Sequence, residues 1–143
     1  MKKLNSVLLI DDDMATNFIS KMLIKKAGIT EHIETTLNGK EALDYLTNSG
    51  KYQKSDGIFP QPMLILLDIN MPVMDGWEFA VAFSKLDEKQ KEEIVIVLLT
   101  SSLNPDDKEK ASNLSAISGF QNKALTMETL TSIMNTYFPE DLD

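Results

Sequence analysis

Three strand-length runs that are apolar at nearly every position constrain this chain most: SVLLI at 6–10, MLILL at 63–67 and IVIVLL at 94–99. A strand with one wet face alternates apolar and polar residues, so an unbroken run belongs to a sheet covered on both sides. Two shorter segments, HIETT at 32–36 and ISGFQ at 117–121, fit further strands. Between the runs the period changes to that of a helix. Ala15, Phe18, Ile19, Met22 and Leu23 predict a first helix packed on the core through that stripe and stopped by Gly28. Ala42, Leu43 and Leu46 mark a second, and Phe79, Phe83 and Leu86 a third that fades through the charged stretch 87–93. A fourth starts at Asn104 and Pro105, with Asp106 and Asp107 in its first turn. Its core-facing positions are chiefly Ala111 and Leu114, so it should be the least firmly held. Met127, Leu130, Ile133, Met134 and Tyr137 form the last stripe. Strands alternating with helices predict an α/β fold, a doubly wound five-stranded parallel sheet with five helices, as one domain over 1–143. The polar segment 48–62 reads as a surface insertion, with partner binding as the other option.

At 143 residues and 43% hydrophobic, the chain can bury one genuine core. Its apolar runs are too short to span a membrane. The opening MKKLNSVLLIDDD has the lysines of a signal peptide, but its apolar part is short and ends in three aspartates, so a first strand and a cytoplasmic protein are expected. No cysteine is present, which excludes disulfides and thiolate metal sites. The net charge of -8 argues against nucleic acid, and all 14 basic residues are lysine, so the side chain best suited to bidentate phosphate or guanine contacts is missing.

Ligands of open parallel sheets bind beyond the carboxyl ends of the strands. The first predicted strand ends in Asp11, Asp12 and Asp13, the third in Asp68, the fourth in Thr100, Ser101 and Ser102, and the fifth near Lys123. Each has an ordinary reading: Asp13 as a helix cap, the hydroxyls as turn residues, Lys123 as a surface lysine. Three carboxylates, Asp11, Asp12 and Asp68, at one sheet edge repel one another and call for a counter-charge. Oxygen-only donors suit a hard cation, and a few carboxylates plus water suit Mg²⁺. Such a place can receive a phosphoryl group, with Asp68 as nucleophile, Thr100 as hydrogen-bond donor beside Ser101, and Lys123 neutralising the phosphoryl oxygens.

The blocks LLIDDD, LLDINMPVMDG, VLLTSS and GFQNK, in this order, resemble the receiver domain of two-component response regulators, which has a flavodoxin-like fold. The resemblance implies that Asp68 is the phosphoacceptor, and that Asp12 binds Mg²⁺ directly and Asp11 largely through water. The Asn70 carbonyl would complete the metal set. Thr100 and Phe120 match the family's switch positions and Lys123 its phosphate-pairing lysine. The donor would be a phosphohistidine of a sensor histidine kinase or histidine phosphotransfer protein, and the output contact with a downstream protein. Ala124 departs from the family, which usually has proline there, often after a cis peptide. Two alternatives remain: a small Mg²⁺-dependent aspartyl-phosphate hydrolase of the haloacid-dehalogenase type, using Asp11 and Asp13, and a degenerate receiver that only binds. The lone His32 is expected to be structural.

Overall fold

The computed structural model describes residues 2–52, 61–101 and 104–139. Over these, five strands form one parallel sheet in the order β2-β1-β3-β4-β5: β1 Val7–Ile10, β2 Ile33–Thr36, β3 Leu64–Asp68, β4 Val95–Thr100 and β5 Gly119–Asn122. Because successive side chains alternate across a strand, each apolar run feeds two cores. Val7, Leu9, Leu64, Leu66, Val97 and Leu99 pack under α1 (Met14–Ala27) and α6 (Met127–Tyr137). Leu8, Ile10, Ile65, Leu67, Ile96 and Leu98 pack on the other face, under α2 (Gly39–Leu46), α3 (Gly76–Ser84) and α5 (Pro105–Ser112). Fully buried aliphatic side chains of this kind contribute about 1.5–3 kcal/mol each.

Among the described residues there are six α-helices rather than the five expected. The difference is the charged stretch after α3. That helix ends at Ser84, and Glu88–Lys91 makes a separate single turn, α4, with no buried residue. Part of the 48–62 segment is also firmly placed: Gly50–Tyr52 is a 3₁₀ turn whose Tyr52 is buried edge-on against Tyr45, their ring centroids 5.2 Å apart. Residues 53–60 of that segment lie outside the described part.

The largest departure concerns α1. Its helix boundaries follow the sequence, with Asp13 as N-cap and left-handed Gly28 (φ 69°) as C-cap, but its stripe faces the wrong way. Phe18, Ile19 and Met22 are 63%, 60% and 57% exposed, whereas Asn17, Ser20 and Ile24 are buried. Both sets recur at helical spacing, so periodicity alone could not choose between them. Leu23 does pack against the core.

The strand order sets the functional edge. The chain leaves β1 towards β2 on one side and returns through β3 on the other, so a crevice opens above the carboxyl ends of β1 and β3.

Candidate functional site

Register brings the first two acids face to face. Ile10 pairs with Leu67, so the next residues, Asp11 and Asp68, sit side by side at the top of adjacent strands. Both are buried, while Asp12 is exposed. Carboxylate oxygens of Asp11, Asp12 and Asp68 all lie within 4.8 Å of one another. On the far side, Thr100 ends β4 opposite Asn122 of β5, and the Lys123 N–H donates to the Thr100 carbonyl at 2.7 Å. That turn delivers the Lys123 ammonium to both buried acids, 3.0 Å from Asp11 Oδ2 and 3.4 Å from Asp68 Oδ2.

The electrostatics follow from this packing. Burial, and then the neighbouring Asp11 charge, push the Asp68 carboxyl above its ordinary pKa, and Lys123 pulls it only part of the way back. For Lys123 burial works against the charge, but the hydrogen bond and charge of Asp11, followed by those of Asp68, outweigh it and hold the ammonium above the usual lysine value. Asp68 is therefore a desolvated carboxylate with an adjacent cation.

The remaining predicted residues are less uniform. Thr100 is buried, and Ser101 is exposed at the rim. Phe120 is half-buried, packed against the core beneath α3 and α5, and pairs in register with Leu98. Asn70 is exposed in the β3–α3 loop. Ser102 falls outside the described residues. Asp13 turns to its own helix: its carboxylate accepts from the Ala15 N–H at 3.0 Å and the Thr16 hydroxyl at 2.9 Å. His32 is exposed just before β2, where its carbonyl accepts from the Val7 N–H at 3.0 Å.

Three local features around the site have roles that the sequence reading did not assign. The Asp75-Gly76 pair after β3 divides its tasks. Asp75 caps α3 in a capping box with Glu78. Gly76 lies so close beneath Asp68 that a Cβ there would collide with the Asp68 carbonyl and reach 2.9 Å from Ile69 Cα. Ala124, in the place of the family's proline, takes a left-handed φ of 73° after a trans peptide. Asn17 is buried, with its amide donating to the Asp11 carbonyl at 2.8 Å. The Asp-Gly pair and the departure at Ala124 both stood out in the sequence; Asn17 did not.

Residues 7–135 match the family described as the response regulator receiver domain. The chain belongs to that family. A two-component response regulator from Cytophaga hutchinsonii, known from a crystal structure, superposes with a TM-score of 0.80 at 32% identity, covering 97% of this chain and all of that one (100%). Response regulator Rcp1 of Synechocystis is 32% identical over 101 residues, which are 71% of this chain but only 65% of Rcp1. The sensor histidine kinase CheAY of Helicobacter pylori is 31% identical over 128 residues, 90% of this chain and 14% of the kinase.

The donor set fits the cation that this family implies. Among the described residues it consists of oxygen atoms alone, from three converging carboxylates, two of them buried with Lys123 between them. A hard divalent ion is matched by such ligands, and Mg²⁺ by so few of them.

Proposed function

We propose that this receiver accepts a phosphoryl group on Asp68 from a phosphohistidine of a sensor kinase or phosphotransfer protein, in a Mg²⁺-dependent reaction. One observation carries the reading: the buried Asp68 carboxylate ends β3 at the crevice, with the Lys123 ammonium 3.4 Å away. In the transfer an Asp68 oxygen attacks phosphorus, the P–O bond forms as the P–N bond breaks, and the leaving imidazole keeps the bond's electron pair and takes a proton. Lys123 balances charge on the phosphoryl oxygens, Ser101 stands at the rim to donate to them, and Thr100 reports their arrival. Asp11, Asp12, Asp68 and the Asn70 carbonyl would hold Mg²⁺, which when bound neutralises carboxylate and phosphoryl charge. The protein transforms no separate substrate; its chemistry is the gain and loss of its own phosphoryl group.

The outward face of α1 suits the donor. Met14, Phe18, Ile19 and Met22 are all more than half exposed, and the helix carries Lys21, Lys25 and Lys26 without one acid, in a chain of net charge -8. A hollow of about 460 Å³ runs from Thr16, Ile19 and Ser20 to Lys123 and Ser101. The donor is then an apolar helical surface with acidic residues at its edge, held where it can reach Asp68. Output passes to a downstream protein rather than to nucleic acid, in the cytoplasm; among the described residues no helix is long and apolar enough to cross a membrane.

Capping by Asp13 speaks against the hydrolase alternative, which needs that carboxylate in the site. Labelling with a phosphohistidine donor or a small phosphodonor tests the proposal. Asp68→Asn should take up no label, and chelation of Mg²⁺ should abolish uptake by the wild type. Label retained by Asp68→Asn at the wild-type rate would refute it.

A further inference from the structure

Every polar group of Asp11 has a partner. Its N–H donates to Thr36 O at 3.1 Å, its Oδ1 accepts from the Asp13 N–H at 2.9 Å, and its Oδ2 faces Lys123 at 3.0 Å. The fourth partner is a side chain from the next helix. Asn17 Nδ2 donates to the Asp11 carbonyl at 2.8 Å, in a buried bond. Strand pairing stops at Ile10, so this amide takes over where a neighbouring strand would have continued. The Asn17 backbone N–H also bonds to Asp13 O at 3.1 Å, so one residue grips both ends of the acidic turn.

The choice of residue is costly. Asparagine is a poor helix former and a polar group under a sheet must be satisfied, while α1 leaves Phe18 and Ile19 in solvent. A leucine at 17 would pack on the core at no such expense. It would leave the Asp11 carbonyl buried without its donor, and the peptide between Asp11 and Asp12 would turn to find one.

We infer that Asn17 is a positioning residue for the acidic turn: its buried amide fixes the Asp11 peptide so that the carboxylates of Asp11 and Asp12 face Asp68, and divalent-cation affinity depends on it. The inference rests on the cation reading given above. Residues that orient the ligands of a metal site typically change its affinity by about 10–100-fold when removed.

Calorimetric titration of the whole chain with MgCl₂ alone, without phosphodonor, tests this on the wild type, Asn17→Leu, Asn17→Ser and Ile24→Val. Asn17→Leu keeps the volume and removes the donor; Asn17→Ser is too short to span the bond and serves if the leucine variant does not fold. Ile24→Val alters the same buried face of α1, at a residue that packs in the core under the sheet. The Asn17 variants should bind Mg²⁺ at least tenfold more weakly, with phosphoryl uptake returning to the wild-type rate at saturating Mg²⁺, and Ile24→Val should bind as the wild type does. Affinity within twofold of wild type in a folded Asn17 variant would overturn the inference. So would an equal loss in Ile24→Val, which would make Asn17 an ordinary packing residue. If the wild type itself bound no Mg²⁺, the cation reading would fail first and this inference with it.

Discussion

Asp68 carries its charge in a place that disfavours charge. Its pKa is raised by burial and then by Asp11, so the folded protein holds that proton more tightly than the unfolded chain does. The stability this contributes is present below the unfolded pKa and is lost as pH rises through the folded one. At neutral pH the ionised carboxylate therefore costs stability, and Asp68→Asn should relieve it while leaving Lys123 paired with Asp11. We expect the variant to be more stable than wild type by roughly 1 kcal/mol at pH 7, with the gain shrinking as acid protonates Asp68 in the wild type. Denaturant unfolding at a series of pH values measures this, and a gain independent of pH would place its origin elsewhere. Ala124, like Asn48 and Val73, holds a left-handed backbone. A left-handed alanine is disfavoured by roughly 1 kcal/mol, so Ala124→Gly should stabilise by up to that amount. Ala124→Pro should destabilise, because the ring fixes φ near -65° against the observed 73°. Restoring the family's residue here thus harms the protein unless the whole turn rebuilds, which a normal thermal midpoint in Ala124→Pro would reveal.

Helix α5 offers the clearest element-scale prediction. Within it only Ala111 is buried, among the described residues, and the Lys110 ammonium lies 4.8 Å from the centre of the Trp77 ring on α3. That cation–π contact joins this thinly anchored helix to the residue directly after Gly76, which leaves no room for a side chain against the Asp68 backbone. An exposed contact of this kind contributes about 0.5–1 kcal/mol, so Lys110→Met should speed amide exchange over 105–112 by about two- to fivefold. Trp77, the single tryptophan, should change its emission in the same variant. Exchange unchanged over 105–112 would show that other contacts hold α5. The weak anchoring of this helix was legible from its few apolar residues; its tether was not, because Trp77 and Lys110 are 33 positions apart and unrelated by any period. The strands were legible for the opposite reason. A run such as LILL has no alternative but a two-sided core, and its terminal acid then falls at the sheet edge. The face of α1 stood between these cases, since Phe18–Met22 and Asn17–Ser20–Ile24 fit a helix equally well. The buried set includes Asn17, whose amide donates to the Asp11 carbonyl, a contact that no period in the sequence reveals.

At the scale of the molecule, the fold concentrates repulsion at one end. The chain carries 22 acids against 14 lysines, and the parallel sheet with its switch between β1 and β3 brings three of those acids within 4.8 Å with one lysine to balance the two that are buried. Anything that binds this edge in the folded state and not in the unfolded chain stabilises the whole protein by linkage. Mg²⁺ should therefore raise the global unfolding free energy by about 2.7 kcal/mol at a hundredfold excess over its dissociation constant. Sodium chloride at equal ionic strength should do much less, since screening acts weakly on buried charge. Two variants separate the site from the fold around it. Asp12 is exposed, so Asp12→Ala should leave the metal-free stability nearly unchanged and remove most of the Mg²⁺ increment. Asp75 caps α3, so Asp75→Ala should lower metal-free stability by about 1 kcal/mol and keep the increment. Urea titrations of the three proteins with EDTA, Mg²⁺ or matched NaCl read all of these terms. An increment that survives Asp12→Ala intact, or that NaCl reproduces, would mean the acids at this edge are tolerated by the fold without serving as ligands.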